Sequence, residues 1–277
     1  MFSTLQRQNP LTQKQLSACL SMWNFDVRRL EIYRWHNPSL GIDIQRIGPF
    51  LALKFKGVGY FNRAIGPAAE FATYEDQLLE YYGQGEISFR LSLTGDTEDR
   101  PSMLHPGFRV ADIEEYYARP TAGVDLSRFG AWSFEQVPEM EMRQFFQMYL
   151  QYFAGPNCYF EEALDNMEHL ANMSGLHCRW VNYHGRRVGF GMWHWQGSDA
   201  CLCGGGVLSP HRRNAGHQAI LLERLRASRG YGCSHAVAVA KAGSEVAQNL
   251  KDTGFHLVWS DEALQWVGSL KRAKLVI

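Results

Sequence analysis

The chain has 277 residues, of which 45% are hydrophobic and 20% charged, and Lys plus Arg equals Asp plus Glu at 28 each. This length admits one large or two small domains, and the apolar content suffices for a packed core. Balanced charge gives no global field for a polyanion, so neither a nucleic acid nor a membrane surface is expected as partner, and any anion site must be local.

The six cysteines form no CxxC pair and the ten histidines no HxxxH pair, so neither a disulfide framework nor a metal site is expected. Residues 1–10 lack the apolar core of a signal peptide, and no stretch approaches the roughly 18 apolar residues of a membrane span. These features are those of a cytoplasmic protein with reduced thiols.

A first helix is predicted from Thr12 to Arg29. Thr12 and Gln15 form a capping-box pattern, and Leu16, Cys19, Leu20, Trp23, Val27 and Leu30 repeat at helical spacing. Beyond the Asn37-Pro38 breaker, residues 42–47 and 50–55 read as strands, and 57–66 extends that sheet. A second helix starts at Thr73 and ends at Gly83, a strand follows over 87–93, and 94–107 reads as loop with a short helix. Another strand lies near 110–117.

Small and polar residues at 120–128 place a boundary, giving domains 1–127 and 128–277. The second opens with a strand over 131–137. Pro138, Glu139 and Glu141 suit the positive start of a helix. Met142, Phe145, Phe146, Tyr149, Tyr152 and Phe153 mark one helical face, which reads as core, with Tyr149 or Tyr152 in reach of a pocket. Strands are expected at 177–183, 187–195 and 200–208, the first two joined at His184-Gly185. A helix at 216–228, a strand at 235–240, a helix at 244–253 and strands at 255–259 and 264–267 complete the chain. The class is therefore α/β (α+β), a mixed, partly antiparallel sheet flanked by helices. A strand–loop–helix–glycine–strand unit recurs in 60–93 and 202–240, as if one domain type were used twice.

The chemistry concentrates in 203–225. Pro210 ends a strand, and Arg213-x-x-Gly216 leads directly into a helix. The first amides of a helix have no internal partner, and the helix dipole adds positive charge, so this junction suits a diphosphate. Gly204-Gly205-Gly206 is unusual inside a strand; it marks either the approach of a thin ligand or a flexible turn. Cys201 and Cys203 read as small core residues.

This segment resembles the GNAT superfamily of acyl-CoA-dependent N-acyltransferases. Leu208-Ser209-Pro210 is similar to the V-x-P ending of that family's fourth strand. Residues 213–218 are similar to its R-x-x-G-x-G/A loop apart from Gln218, which narrows the cradle, and 246–255 to its helix with a G-F ending. The resemblance covers about residues 130–270. It implies that acetyl-CoA or another acyl-CoA is co-substrate, without a metal. The strand backbone at Gly206 and Leu208 would pair with the pantetheine amides. The amides of Arg213, Asn214, Ala215, Gly216, His217 and Gln218 would hold the pyrophosphate, with the thioester near Gly206 and Val237.

The family often draws its general acid from a tyrosine before the G-F pair, but that slot is Leu250, and no carboxylate lies between Cys201 and Leu208. His194 is the remaining candidate base, against the alternative of a structural histidine. The acceptor implied is a small-molecule or peptide amine, and a homodimer is compatible with the sequence. Three readings stand. The chain is an N-acyltransferase, a non-enzymatic acyl-CoA-binding regulator, or an aminoacyl transferase using charged tRNA, the last disfavoured by neutral charge. The first domain, whose loop Arg63–Glu70 lacks the motif and whose helix start carries Glu75 and Asp76, is expected to have lost the cofactor site. Substituting Arg213 by Glu or Gly216 by Asp is expected to abolish CoA binding with the fold intact.

Overall fold

The computed structural model describes residues 13–55, 58–83, 87–94, 107–154, 161–208, 211–213 and 215–267. Thr12, Pro210, Asn214, the Gly155-Pro156 stop and the loop at 95–106 lie outside the described residues. In chain order the helices are α1 (Gln13–His36), α2 (Phe71–Tyr81), α3 (Met142–Ala154), α4 (Glu161–Glu168), α5 (Gly216–Gly230) and α6 (Glu245–Asp252). The strands are β1 (Ile42–Ile47), β2 (Phe50–Phe55), β3 (Arg63–Pro67), β4 (Arg90–Thr94), β5 (Phe108–Pro120) and β6 (Trp132–Gln136). They continue with β7 (Leu176–Tyr183), β8 (Arg186–Gln196), β9 (Asp199–Val207), β10 (His235–Lys241) and β11 (His256–Trp266). The class is the expected one, a mixed sheet flanked by helices. No helix among the described residues is long and apolar enough to cross a membrane.

Compactness does not follow a single cut near residue 127. One unit comprises residues 1–16, 38–114 and 259–277, and the other 17–37 and 115–258. Nearly all of α1 thus belongs with the second half of the sequence, while β5 and β11 each divide between units. Local periodicity sets where an element forms but not which core takes it. Likewise 255–259 and 264–267, expected as two strands, form the one strand β11, and α1 runs to His36 rather than stopping at Arg29.

In the first unit β1 and β2 form a hairpin closed at Ile47–Phe50, with β3 antiparallel to β2 and β4 parallel to β3. Its core gathers Phe50, Phe71, Tyr82, Phe89, Leu91, Phe108 and Trp266, all buried. Tyr82 stacks on Phe89 with centroids 3.9 Å apart. The buried carboxyl of Asp261 accepts from the Ser92 hydroxyl at 2.5 Å.

In the second unit the strands run β5-β10-β9-β8-β7-β6. The β7–β8 turn has both central residues at positive φ, His184 at 48° and Gly185 at 75°, the conformation of a two-residue hairpin that follows the strand twist. On one face α5 and α6 bury Ala219, Ile220, Leu222, Leu225, Ala247 and Leu250. On the opposite face Phe145 and Phe146 of α3 are fully buried, and Phe145 meets Phe190 of β8 at 5.9 Å. The helix α4 was not expected; Arg143 of α3 joins it through Asp165 at 2.9 Å and Glu168 at 3.0 Å.

Candidate functional site

The parallel strands β9 and β10 pair only at their beginnings. The register runs His235–Asp199, Ala236–Ala200 and Val237–Cys201 and ends there, although β9 continues to Val207 and β10 to Lys241. On its other side β9 stays paired with β8 as far as Val207–Gly189, so one edge of residues 202–207 opens into the gap. A bulge sets Leu202 and Cys203 opposite Trp193, which bends the strand where the separation starts.

Which backbone groups face the gap follows from the ladder. Leu208 donates its amide to the Val188 carbonyl at 2.7 Å, and its own carbonyl accepts from the His211 amide at 2.9 Å. Hydrogen-bonded and non-bonded pairs alternate in an antiparallel ladder, so Leu208 and Gly206 point toward β8. Gly205 and Val207 point the other way, toward β10. The backbone groups of Gly206 and Leu208, expected to meet the pantetheine amides, are thus directed at β8. Part of the Val207 carbonyl is already engaged, accepting from Arg212 Nε at 3.0 Å.

The three glycines have a packing cause that the sequence did not reveal. A Cβ on Gly204 would stand 2.9 Å from the Tyr149 ring, one on Gly206 2.6 Å from the Tyr152 ring, and one on Gly205 3.1 Å from the Arg224 guanidinium. Two tyrosines three apart on α3 thus rest on two glycines two apart on β9, while Arg224 of α5 occupies the opposite face. Arg224 is 3% exposed, and its Nη1 donates to the carbonyls of Met192 at 3.1 Å and Gly204 at 2.8 Å. Burial lowers its pKa to about 10, which leaves it a cation at neutral pH.

Beyond the strand, residues 211–213 make a 3-10 turn and α5 begins at Gly216. Ala215 precedes it with φ 55° and ψ 23°, left-handed for a residue with a Cβ, and no side chain among the described residues caps the helix there. The first helical bond runs from the Ala219 amide to the Ala215 carbonyl at 3.0 Å. The amides of Gly216, His217 and Gln218 therefore precede the ladder and add to the positive end of the helix dipole.

Gly216 itself answers to packing, since a Cβ would overlap the Trp132 indole and meet Val207 at 2.9 Å. Gln218 does not crowd the helix mouth as expected; its amide reaches across to Asn249 at 3.2 Å and Asp252 at 3.4 Å on α6. Burial, followed by the Arg224 charge, holds the His217 pKa down at about 4, so this imidazole is neutral. A cavity of about 290 Å³ adjoins this helix start, lined by Arg128, Phe129, Trp132, Tyr183, Ala215 and Gln218 among others. Trp132 and Tyr183 lie 4.6 Å apart in its wall.

His194 takes the structural place. It is fully buried, its ring lies 5.5 Å from that of Phe25 on α1, and burial pushes its pKa down to about 4. With no exposed surface it cannot meet an acceptor. Leu250 is likewise buried in the core beside α5. Among the described residues no three His, Cys, Asp or Glu side chains approach closely enough to hold a metal ion.

A different polar group lies above the glycine strand. The Arg29 guanidinium of α1 contacts Asp26 at 2.8 Å, and its charge opposes the rise that burial gives the Tyr149 pKa. Sequence reasoning missed it because α1 lies more than a hundred residues before α3 and β9.

The first unit lacks the gap. There the parallel pair β3–β4 is in register over all five residues, from Arg63–Arg90 to Pro67–Thr94. Arg63, the one arginine of its expected loop, is a strand residue 6% exposed, 3.7 Å from Glu114. A Cβ on Gly66 would strike the Phe50 ring.

No protein-family model matches the sequence, and no curated protein matches it. Solved structures do. A GCN5-related N-acetyltransferase from Kribbella flavida superposes with TM-score 0.59 at 14% identity, covering 87% of this chain and 96% of its own. A GCN5-related N-acetyltransferase from Sphaerobacter thermophilus gives 0.58 at 13% identity over 80% and 81%. A GNAT-family protein from Novosphingobium aromaticivorans gives 0.51 at 12% identity over 84% and 93%. The similarity extends over most of each chain, and the protein therefore has the fold of the GCN5-related N-acetyltransferases.

Proposed function

We propose that the second unit binds an acyl-CoA in the gap between β9 and β10 and transfers an acetyl or short acyl group to an amine. One observation carries this reading. The two strands stop pairing at Cys201–Val237, which leaves backbone groups of Gly205 and Val207 directed at an open edge beside an uncapped helix start. The pantetheine arm is a thin chain with two amides, and it fits such an edge as a substitute strand. The diphosphate then meets the amides from Gly216 to Gln218, which Arg213 and Asn214 precede in sequence. Trp132 and Tyr183 in the adjoining cavity offer apolar faces to the adenosine end.

The chemistry is attack of a neutral amine on the thioester carbonyl. In this reading the first unit carries no cofactor site, because its equivalent strands are paired along their whole length. The acceptor is a small-molecule or peptide amine.

The second reading, an acyl-CoA-binding protein without turnover, has specific support in the burial of Leu250 at the tyrosine slot. Titration calorimetry with CoA and acetyl-CoA, followed by thiol release across an amine panel, separates the two. Micromolar binding with thiol release is expected. Binding without release throughout the panel favours the second reading, and no binding refutes both.

A further inference from the structure

Resting on the proposed acyl transfer, we infer that Arg224 is a positioning residue that acts through the Gly204–Gly205 peptide, making the Gly205 amide a charge-assisted donor to the thioester carbonyl.

A buried arginine without a counter-ion calls for a reason. Arg224 of α5 is 3% exposed, and its partners are the carbonyls of Ile220 at 3.4 Å, Met192 at 3.1 Å and Gly204 at 2.8 Å. The next carboxylate on α5, Glu223, is taken by Arg226 at 2.7 Å, and among the described residues none pairs with Arg224. Taking a cation out of water without an opposite charge is unfavourable, and an apolar side chain would avoid that cost. The sheet is nevertheless shaped to hold it. Gly191 of β8 and Gly205 of β9 face each other across the ladder. A Cβ on Gly191 would touch Arg224 Cδ at 3.5 Å, and one on Gly205 would crowd Nη2 at 3.1 Å. The arginine thus lies over a pair of glycines.

The Gly204 carbonyl and the Gly205 amide belong to one peptide unit, and in a trans peptide they point in opposite directions. The carbonyl meets Arg224. The amide is directed at the gap, in the part of β9 beyond Cys201, the last residue paired with β10. A cation bonded to the carbonyl oxygen draws density from the nitrogen through the peptide resonance, so the N–H becomes a stronger donor. The charge reaches the gap through bonds while the guanidinium stays buried.

In the proposed orientation the diphosphate is at the α5 start, the arm runs along Val207, and the thioester comes deeper, at Gly205. As the amine nitrogen bonds to the carbonyl carbon, the carbonyl π pair moves onto oxygen, where the Gly205 amide meets it. When that pair returns, the carbon–sulfur bond breaks, and the proton shed by nitrogen leaves with sulfur. Thioester and amine become amide and thiol. Arg224 keeps its proton throughout, since burial lowers its pKa only to about 10.

Arg224→Met keeps the length of the side chain and removes the charge. Single-turnover thiol release is expected to slow about 10- to 100-fold. The Kd for free CoA, which has no carbonyl on sulfur, should be unchanged by calorimetry. Arg224→Lys, which retains a cation, should recover part of the rate. Independently of turnover, infrared spectroscopy of carbonyl-labelled acetyl-CoA should place the C=O stretch lower in the wild-type complex than in buffer. In Arg224→Met the stretch should return toward the buffer value. Wild-type release by a folded Arg224→Met, loss of CoA affinity together with release, or an unshifted stretch in the wild-type complex would overturn the assignment. Failure of the wild-type protein to bind CoA would instead remove the parent reading.

Discussion

Val237 and Cys201 form the last pair of the β9–β10 ladder, and the chain continues past both in strand conformation. Two adjacent parallel strands that part midway leave amides and carbonyls unmatched along the edges of the gap, and leaving such groups without partners costs free energy. The first unit shows that this chain can complete such a pair, for β3 and β4 stay in register throughout. The opening in the second unit is therefore a local feature, and it begins where the bulge sets Leu202 and Cys203 opposite Trp193.

Gly216 is expected to matter more for packing than for ligand approach. A methyl group there overlaps Trp132 and crowds Val207, so Gly216→Ala should destabilise the fold by about 1–3 kcal/mol. Urea unfolding reads this directly. Gly216→Asp, expected to abolish CoA binding with the fold intact, meets the same two neighbours. Unchanged stability in the alanine variant would show that the indole yields freely.

Ala215 offers the converse change. Its left-handed φ of 55° strains any residue with a Cβ, so Ala215→Gly should raise stability by about 0.5–1 kcal/mol. The same unfolding experiment measures it, and a loss of stability would contradict the strain.

Charge at the helix mouth is the cleaner probe of binding. Arg213→Glu replaces a cation beside the α5 start by an anion and should weaken CoA about 10- to 100-fold by calorimetry, with the melting temperature little altered. A matching Kd would remove Arg213 from the site. The effect should shrink as ionic strength rises.

Acid should unfold the second unit through its buried histidines. His194 and His217 have pKa values lowered from 6.5 to about 4, chiefly by burial. Below pH 6.5 the unfolded chain binds protons that the folded chain refuses, so their contribution is complete above 6.5 and lost as pH falls toward 4. Unfolding free energy should therefore drop between pH 7 and pH 5, and His194→Gln should flatten that drop. An unchanged slope in the variant would mean that His194 is not the group titrating.

The first unit supplies a control. Ser92→Ala removes the hydroxyl that Asp261 accepts at 2.5 Å and should cost about 1–3 kcal/mol of stability. CoA affinity should not change. A weakened Kd at matched folding would argue that the first unit takes part in binding.

Periodicity located β1, β2, β6 to β10, α3, α5 and α6 to within a few residues, because each carries a hydrophobic pattern readable within its own length. The class and the strand-to-helix junction at 208–216 were legible for the same reason. The reason for the glycines at 204–206 was not. They read as room for a ligand, whereas each has a neighbour from a distant helix, Tyr149, Arg224 or Tyr152, that only packing brings there.

What the sequence determined by itself was local: which segments are helix or strand, and where a helix start follows a broken strand. Tertiary structure alone decided that α1 joins the second unit, that β9 and β10 part after three pairs, and that the Tyr149 ring lies against Gly204. The reason is physical. Backbone dihedrals and hydrophobic period are encoded over a few residues, whereas burial, register and hydrogen-bond partners depend on groups that meet only once the chain has packed.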